Sequence, residues 1–186
     1  IEGQDILEFG CNVGGSSVVL AALGGRVTAI DVDPAMAEIA QTNLERHSLA
    51  ATATSRHVPD TRSLPFAEGS FDLIIANSVL EYVAPDHLDA IFAQLHRVLR
   101  PGGQIFICGT ASRLAPREIH SGRWLVNYLP RAVDRLTGTS RQRGLNPFLL
   151  ARRIAGRFTA VAPTCWLPAR RAIHGTASPQ VRLVNH

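Results

Sequence analysis

The chain has 186 residues, 46% hydrophobic and 18% charged, the size and balance of about one globular domain with a core of its own. No apolar run reaches the roughly 18 residues needed to cross a bilayer, and Ile1 to Leu7 lack the basic and apolar regions of a secretory leader. The net charge of +4 hides a split: residues 1–110 carry six Arg against thirteen acids, a net of −7, whereas residues 111–186 carry thirteen Arg against two acids, a net of +11.

The first 110 residues alternate strand-like and helix-like segments. Gln4–Phe9 is a short apolar run ending in glycine, and Ser16–Leu23 follows it as a helix entered through Gly-Gly-Ser-Ser. Val27–Ile30 ends at Asp31. Pro34–His47 then opens with Asp33 as N-cap and Pro34 at the first helical position. Ala53–Val58 is a weaker strand, because its alternation is polar. Phe71–Ala76 and Gln104–Cys108 complete the set. Between those two, Pro85–Leu99 places Leu88, Ile91, Phe92, Leu95 and Leu99 three and four apart on one apolar face, and Pro101-Gly102-Gly103 ends it. Short runs rich in Val, Ile and Phe suggest strands buried on both faces. The alternation predicts an α/β fold with a doubly wound, mostly parallel sheet.

After Thr110 the pattern changes. Residues 111–146 are rich in Arg, Gly and Pro, with one helix or two short ones around Pro130 between Trp124 and Leu136. Pro147–Arg157 reads as a helix, Phe158–Ala162 as a strand, and Gln180–Val184 as the last strand or a stub of it. We therefore expect residues 1–110 to form a ligand-binding core. Residues 111–186 would add a basic, irregular insertion or cap and the last part of the same sheet. A GC-rich coding bias accounts for the absence of Lys but not for the charge asymmetry. A basic surface of this kind is an Arg-rich solvated face, or it meets an anionic substrate, a phospholipid surface or nucleic acid.

The chemistry concentrates in the first glycine loop, Glu8-Phe9-Gly10-Cys11-Asn12-Val13-Gly14-Gly15-Ser16. A strand ends, the chain turns through glycine, and a helix N-terminus presents free N–H groups to a pyrophosphate or an amino-acid carboxylate. Asp31, at the end of the second strand, has the place and chemistry to grip a ribose diol, with Val32 beside it. A helix N-cap is the plainer role for an acid here, and Asp33 fits that role better.

Taken in order, these segments resemble the class I S-adenosylmethionine (SAM)-dependent methyltransferases. Glu8-x-Gly10-x-Asn12-x-Gly14 is similar to the family's acid-x-Gly-x-Gly-x-Gly motif. Asp60-Thr61-Arg62-Ser63-Leu64-Pro65-Phe66 with Gly69-Ser70-Phe71-Asp72-Leu73-Ile74 looks like its adenine loop and fourth strand. Asn77-Ser78-Val79-Leu80-Glu81-Tyr82-Val83 is similar to the segment after that strand, and Leu99-Arg100-Pro101-Gly102-Gly103 to the turn before the fifth. Together they match the type 11 small-molecule branch over roughly residues 3–110.

The resemblance implies a Rossmann-like fold and SAM as cofactor. It implies that Glu8 supports the loop near the SAM amino group and that Gly10 lends its backbone to the methionine moiety. Asp31 would hold the ribose, Asp60 the adenine amino group with Thr61 beside the ring, and Asn77 the methionine end. Asn12 departs from the usual glycine, but Asn tolerates left-handed backbone. A dinucleotide fingerprint is the rival reading of the loop; in its register, Gly10-x-Asn12-x-x-Gly15, the middle glycine is lost. The family has a helix and more chain before its first strand, so a fragment lacking part of the cofactor lid is expected.

The acceptor side is less legible. His120 in Arg117-Glu118-Ile119-His120, with Glu118, and Tyr82 after the fourth strand are the candidates for a base or a pocket wall, each with a plainer structural role. His87 and His96 read as structural or exposed. No histidine has metal-ligand spacing, so no metal is expected. Cys11, Cys108 and Cys165 form neither a disulfide framework nor a paired-cysteine metal pattern, which makes a reducing cytoplasm the expected compartment.

Three functions stay open. The first is methylation of a small-molecule acceptor, anionic or neutral, at a hydroxyl or carboxyl group in natural-product, sugar or lipid metabolism. The second is methylation of RNA or protein through the basic C-terminal third, and the third is a SAM-binding scaffold without catalysis. Oligomeric state is not legible.

Overall fold

The computed structural model describes residues 1–109, 114, 116, 124–129, 146–154, 156–161 and 181–185. Seven strands form one sheet: β1 (Asp5–Phe9), β2 (Arg26–Asp31), β3 (Ala53–His57), β4 (Phe71–Asn77), β5 (Leu99–Cys108), β6 (Phe158–Val161) and β7 (Val181–Asn185). Their order is β3-β2-β1-β4-β5-β7-β6. The first five are parallel, and β7 runs antiparallel to both β5 and β6. The chain thus winds outward from β1 in both directions, which opens a crevice at the carboxyl ends of β1 and β4.

Among the described residues, four α-helices cover the sheet: α1 (Gly15–Ala22), α2 (Pro34–Arg46), α3 (Leu88–Val98) and α4 (Pro147–Ile154). Asp33 caps α2 as its sequence indicates, accepting from the Ala35 N–H at 2.9 Å, with Pro34 in the first turn. The apolar stripe of α3 buries Leu88, Ile91, Phe92, Leu95 and Val98. This helix starts three residues later than the pattern suggests, because residues 84–87 form a turn closed by the His87 N–H on the Ala84 carbonyl. Ahead of that turn, Leu80–Tyr82 forms one 3-10 turn.

The alternation of the strands divides the core between two faces. Leu7, Phe9, Ile30 and Ile74 pack with Phe92, Leu95, Leu150, Ile154 and Phe158 on the α3/α4 side. Ile6, Val27 and Ala53 pack with Leu20, Ala21 and Leu44 on the α1/α2 side. At the amino edge an ionic cluster links four parallel strands. Arg100 meets Asp72 at 2.6 Å and Asp5 at 3.0 Å, and Arg26 meets Asp5 at 2.7 Å. These partners are partly exposed, so the cluster sets register more than it adds stability. A groove of about 650 Å³ beside Ile1, Gln4, Leu73 and Phe106 lies at this amino edge, away from the glycine loop.

Beyond Thr110 the described residues hold one 3-10 turn, Val126–Tyr128, within the stretch expected to carry one or two helices. The expected strands near Phe158 and Gln180 are both present. They add an antiparallel pair whose spatial order is reversed relative to the chain.

Phe92 is fully buried, with its ring edge-to-face on Phe158 at 6.4 Å. Phe92→Ala is expected to destabilise the fold by about 3–5 kcal/mol, the range for emptying such a site, as read from chemical denaturation.

Candidate cofactor site

The site is built at the carboxyl edge by the loops after β1, β2, β3 and β4. The β1 loop turns through Gly10 (φ 77), Asn12 (φ 48) and Gly14 (φ 80), so Asn12 adopts the left-handed backbone expected of it. A side chain at Gly10 would overlap the Val79 side chain, and one at Gly14 would stand 2.9 Å from the Ala40 Cβ of α2. The loop is also tied to its neighbours by hydrogen bonds. The Gly10 and Cys11 N–H groups donate to the Ile30 carbonyl, and Asn43 donates from α2 to the Val13 carbonyl at 2.8 Å. Gly14 serves as the N-cap of α1 without a side-chain hydrogen bond, and the first turn of α1 has no acid. The positive end of the helix dipole is therefore available to a negative group.

Glu8 lies beneath this loop, 1% exposed, and accepts a hydrogen bond from the Ser17 hydroxyl of α1. Burial raises its pKa above the ordinary 4.5; the Ser17 and Ser16 hydroxyls oppose that shift and the charge of Asp31 adds to it. The geometry places Glu8 as a brace between β1 and α1. Cys11 is buried beside Ser55, and burial pushes its thiol up to about 11, which removes it as a nucleophile at neutral pH.

Asp31 joins two loops. One carboxylate oxygen accepts from the Asn12 N–H at 2.8 Å and the other from the Asp33 N–H at 3.0 Å. A carboxylate offers about four lone-pair sites, so each oxygen keeps one for a hydroxyl. Val32 follows with its side chain exposed, an apolar surface beside the carboxylate. The β3 loop hangs from the same place, since the Val58 N–H donates to the Asp31 carbonyl.

On that loop Asp60 is held by Arg62, which reaches one oxygen through Nε (2.9 Å) and its own N–H (2.9 Å) and the other through Nη2 (3.0 Å). The side-chain hydrogen bond from Arg62 is the main cause that lowers the Asp60 carboxyl to about 2, so it is ionised at neutral pH. Thr61 stands between them. Behind this turn, Arg97 of α3 donates to the Leu64 (2.9 Å) and Phe66 (2.7 Å) carbonyls, and Gln94 accepts from the Leu64 N–H. Asn77 ends β4 and donates to the Ser16 hydroxyl at 3.4 Å.

The tertiary structure thus gathers Glu8, Gly10, Asn12, Gly14, Asp31, Val32 and Asn77 around one crevice, with Asp60 and Thr61 on the adjoining loop. Tyr82 sits half exposed on the 3-10 turn after β4, while His120 and Glu118 lie outside the described residues. His96 packs edge-to-face on Phe158 at 5.5 Å. Sequence reading missed Ser17, Asn43 and Arg62. The Asp-x-Arg spacing was a readable signal for Arg62; Ser17 and Asn43 reach the site only through the packing of α1 and α2.

Comparison with known proteins identifies the family and the fold. Residues 7–107 match the family described as a methyltransferase domain. The chain belongs to this class I SAM-dependent methyltransferase family. An uncharacterized methyltransferase from Synechocystis is 36% identical over 101 residues, covering 54% of this chain and 44% of that protein. The malonyl-[acyl-carrier protein] O-methyltransferase of Erwinia billingiae is 32% identical over 136 residues, 72% of this chain and 49% of that protein. The chain therefore spans about half the length of these relatives. A geranyl diphosphate C-methyltransferase from Streptomyces coelicolor, solved with Mg2+, geranyl diphosphate and S-adenosyl-L-homocysteine, superposes with a TM-score of 0.69 at 16% identity. That likeness covers 98% of this chain and 73% of the other, and it shows the shared fold.

Two expectations follow. Gly10→Ala, strained by its positive φ and blocked by Val79, is expected to abolish or severely weaken SAM binding in calorimetry while leaving most secondary structure by circular dichroism. For Glu8, the folded carboxyl titrates above its unfolded value, so its contribution to stability is full below about pH 4.5 and is lost as pH rises through the folded value. Asp5 and Asp72 are shifted down by Arg26 and Arg100 respectively, so their contribution is full above 3.8 and is lost only as pH falls below it. The stability of the parent relative to Glu8→Gln should therefore fall as pH rises above 4.5, as read from denaturation midpoints.

Proposed function

We propose that this chain binds SAM at the β1–β4 crevice and transfers its methyl group to a small-molecule acceptor through a hydroxyl or carboxyl oxygen. The observation that carries the reading is Asp31, whose two oxygens are oriented by the Asn12 and Asp33 N–H groups and each keep a free acceptor site. A pair of neighbouring ribose hydroxyls matches that arrangement. The uncapped N-terminus of α1 matches an amino-acid carboxylate, and ionised Asp60 keeps a lone pair toward an amino donor.

When bound, SAM supplies an electrophilic methyl group together with its own leaving group. The residues of the chain then have three tasks: to hold the ribose (Asp31), the adenine edge (Asp60, Thr61) and the methionine end (Gly10, Asn77). Glu8 keeps the β1 loop in place through α1. In-line displacement gains most of its rate from this positioning and from exclusion of water. A general base is required only where the acceptor holds a proton at the reacting oxygen; His120, Glu118 and Tyr82 are the candidates. The excess of Arg in residues 111–186 favours an anionic acceptor.

The test is calorimetric binding of SAM, followed by incubation of the full chain with hydroxyl and carboxyl acceptors and measurement of S-adenosylhomocysteine. SAM binding with acceptor-dependent product supports the proposal. Binding without turnover on any acceptor points to a scaffold, and no binding defeats both. Asp31→Asn is expected to weaken SAM affinity about ten-fold or more, the effect of losing hydrogen bonds to a charged group.

A further inference from the structure

The connection that leaves the carboxyl end of β5 carries a feature that cofactor binding does not use. Within it, Trp124 is 67%, Leu125 60% and Tyr128 55% exposed, and Leu114 and Leu129 are exposed beside them. The exposed apolar residues elsewhere on the described surface, such as Ile39 or Val19 with Leu23 on α1, come in ones and twos, which is ordinary. Here five large ones fall within sixteen positions and are held together. The Tyr128 hydroxyl donates to the Leu114 carbonyl at 2.7 Å, and the Leu125 N–H donates to the Pro116 carbonyl at 2.6 Å. Leu125 itself has φ 63, a costly conformation for a leucine, and its side chain stands in water immediately before the 3-10 turn Val126–Tyr128.

The charge of the same stretch says what covers this surface. Residues 111–146 contain seven Arg (Arg113, Arg117, Arg123, Arg131, Arg135, Arg141 and Arg143) against Glu118 and Asp134. Tryptophan and tyrosine favour the boundary between headgroups and acyl chains, leucine favours the chains, and arginine favours anionic headgroups. Single-stranded RNA would also attract the arginines and stack on the aromatic rings. It offers nothing to Leu114, Leu125 and Leu129, which bases do not cover as acyl chains do.

We propose that the surface formed by Leu114, Trp124, Leu125, Tyr128 and Leu129 docks the protein peripherally on an anionic phospholipid bilayer. The aromatic and leucine side chains enter the interface, and the arginines next to them in the chain (Arg113, Arg117 and Arg123) supply the charge for the headgroups. The inference is independent of the methyl acceptor: it concerns where the carboxyl edge is held, and it survives if the proposed acceptor class is wrong.

Sedimentation of the full chain with vesicles tests it. One set is phosphatidylcholine alone, the other an equal mixture of phosphatidylcholine and phosphatidylglycerol. The protein is expected to sediment with the mixed vesicles, to do so less as salt is raised, and to remain in solution with phosphatidylcholine alone. Trp124→Ala is expected to weaken partitioning about ten-fold, the loss from removing one large buried apolar side chain. Leu125→Gly, which relieves the positive φ while deleting the side chain, should weaken it without harming the fold; unchanged SAM affinity in both variants checks that the fold is intact. The proposal is overturned by equal sedimentation with both vesicle types, by no sedimentation at low salt, or by variants that partition like the parent. Binding of poly(U) that Trp124→Ala weakens, without vesicle binding, assigns the surface to RNA instead.

Discussion

The glycine loop after β1 is confined between two neighbours, and the rest of the site is arranged around that confinement. Val79 closes on Gly10 from the β4 side and Ala40 of α2 closes on Gly14 from the other. Neither approach tolerates a side chain, so the loop, α2 and the segment after β4 hold one another at backbone distance. That closeness lets Asp31 reach the Asn12 N–H and lets Asn77 reach Ser16. The same confinement presents the N-terminus of α1 to the crevice rather than to bulk water.

Buried polarity supports the arrangement. Glu8 is a carboxyl buried on β1, and there it holds the Ser17 hydroxyl of α1. The raised pKa records the cost of placing a carboxyl there. A brace of this kind fixes the orientation of α1 relative to the sheet, and with it the direction of the free N–H groups. Arg62 serves a comparable purpose on the β3 loop: it keeps Asp60 ionised and oriented in a solvent-exposed turn that Arg97 and Gln94 anchor to α3.

The two parts of the chain divide the work by chemistry. Residues 1–109 supply an acidic, well-packed core. The Arg-rich remainder contributes the antiparallel strand pair that extends the sheet and an exposed apolar surface beside it.

Local pattern was enough for the five parallel strands, α1, α2 and α3, because period and capping are properties of adjacent residues: Asp33-Pro34 starts α2, and the spacing from Leu88 to Leu95 marks the buried face of α3, although Leu99, expected on that face, is instead the first residue of β5. The glycine loop and the carboxylates at Asp31 and Asp60 were legible for the same reason, as residue types at set distances along the chain. Other features were not legible. The pairing of β7 between β5 and β6, the reach of Ser17 to Glu8, the bond from Asn43 to Val13 and the burial of Gly10 under Val79 all join residues far apart in the chain. Their distances exist only once the sheet has closed. The sequence by itself therefore determined which groups are available to bind a nucleoside and an amino-acid carboxylate. Tertiary packing decided which of their lone pairs and N–H groups remain free to do so, because hydrogen bonds made across the sheet consume the rest.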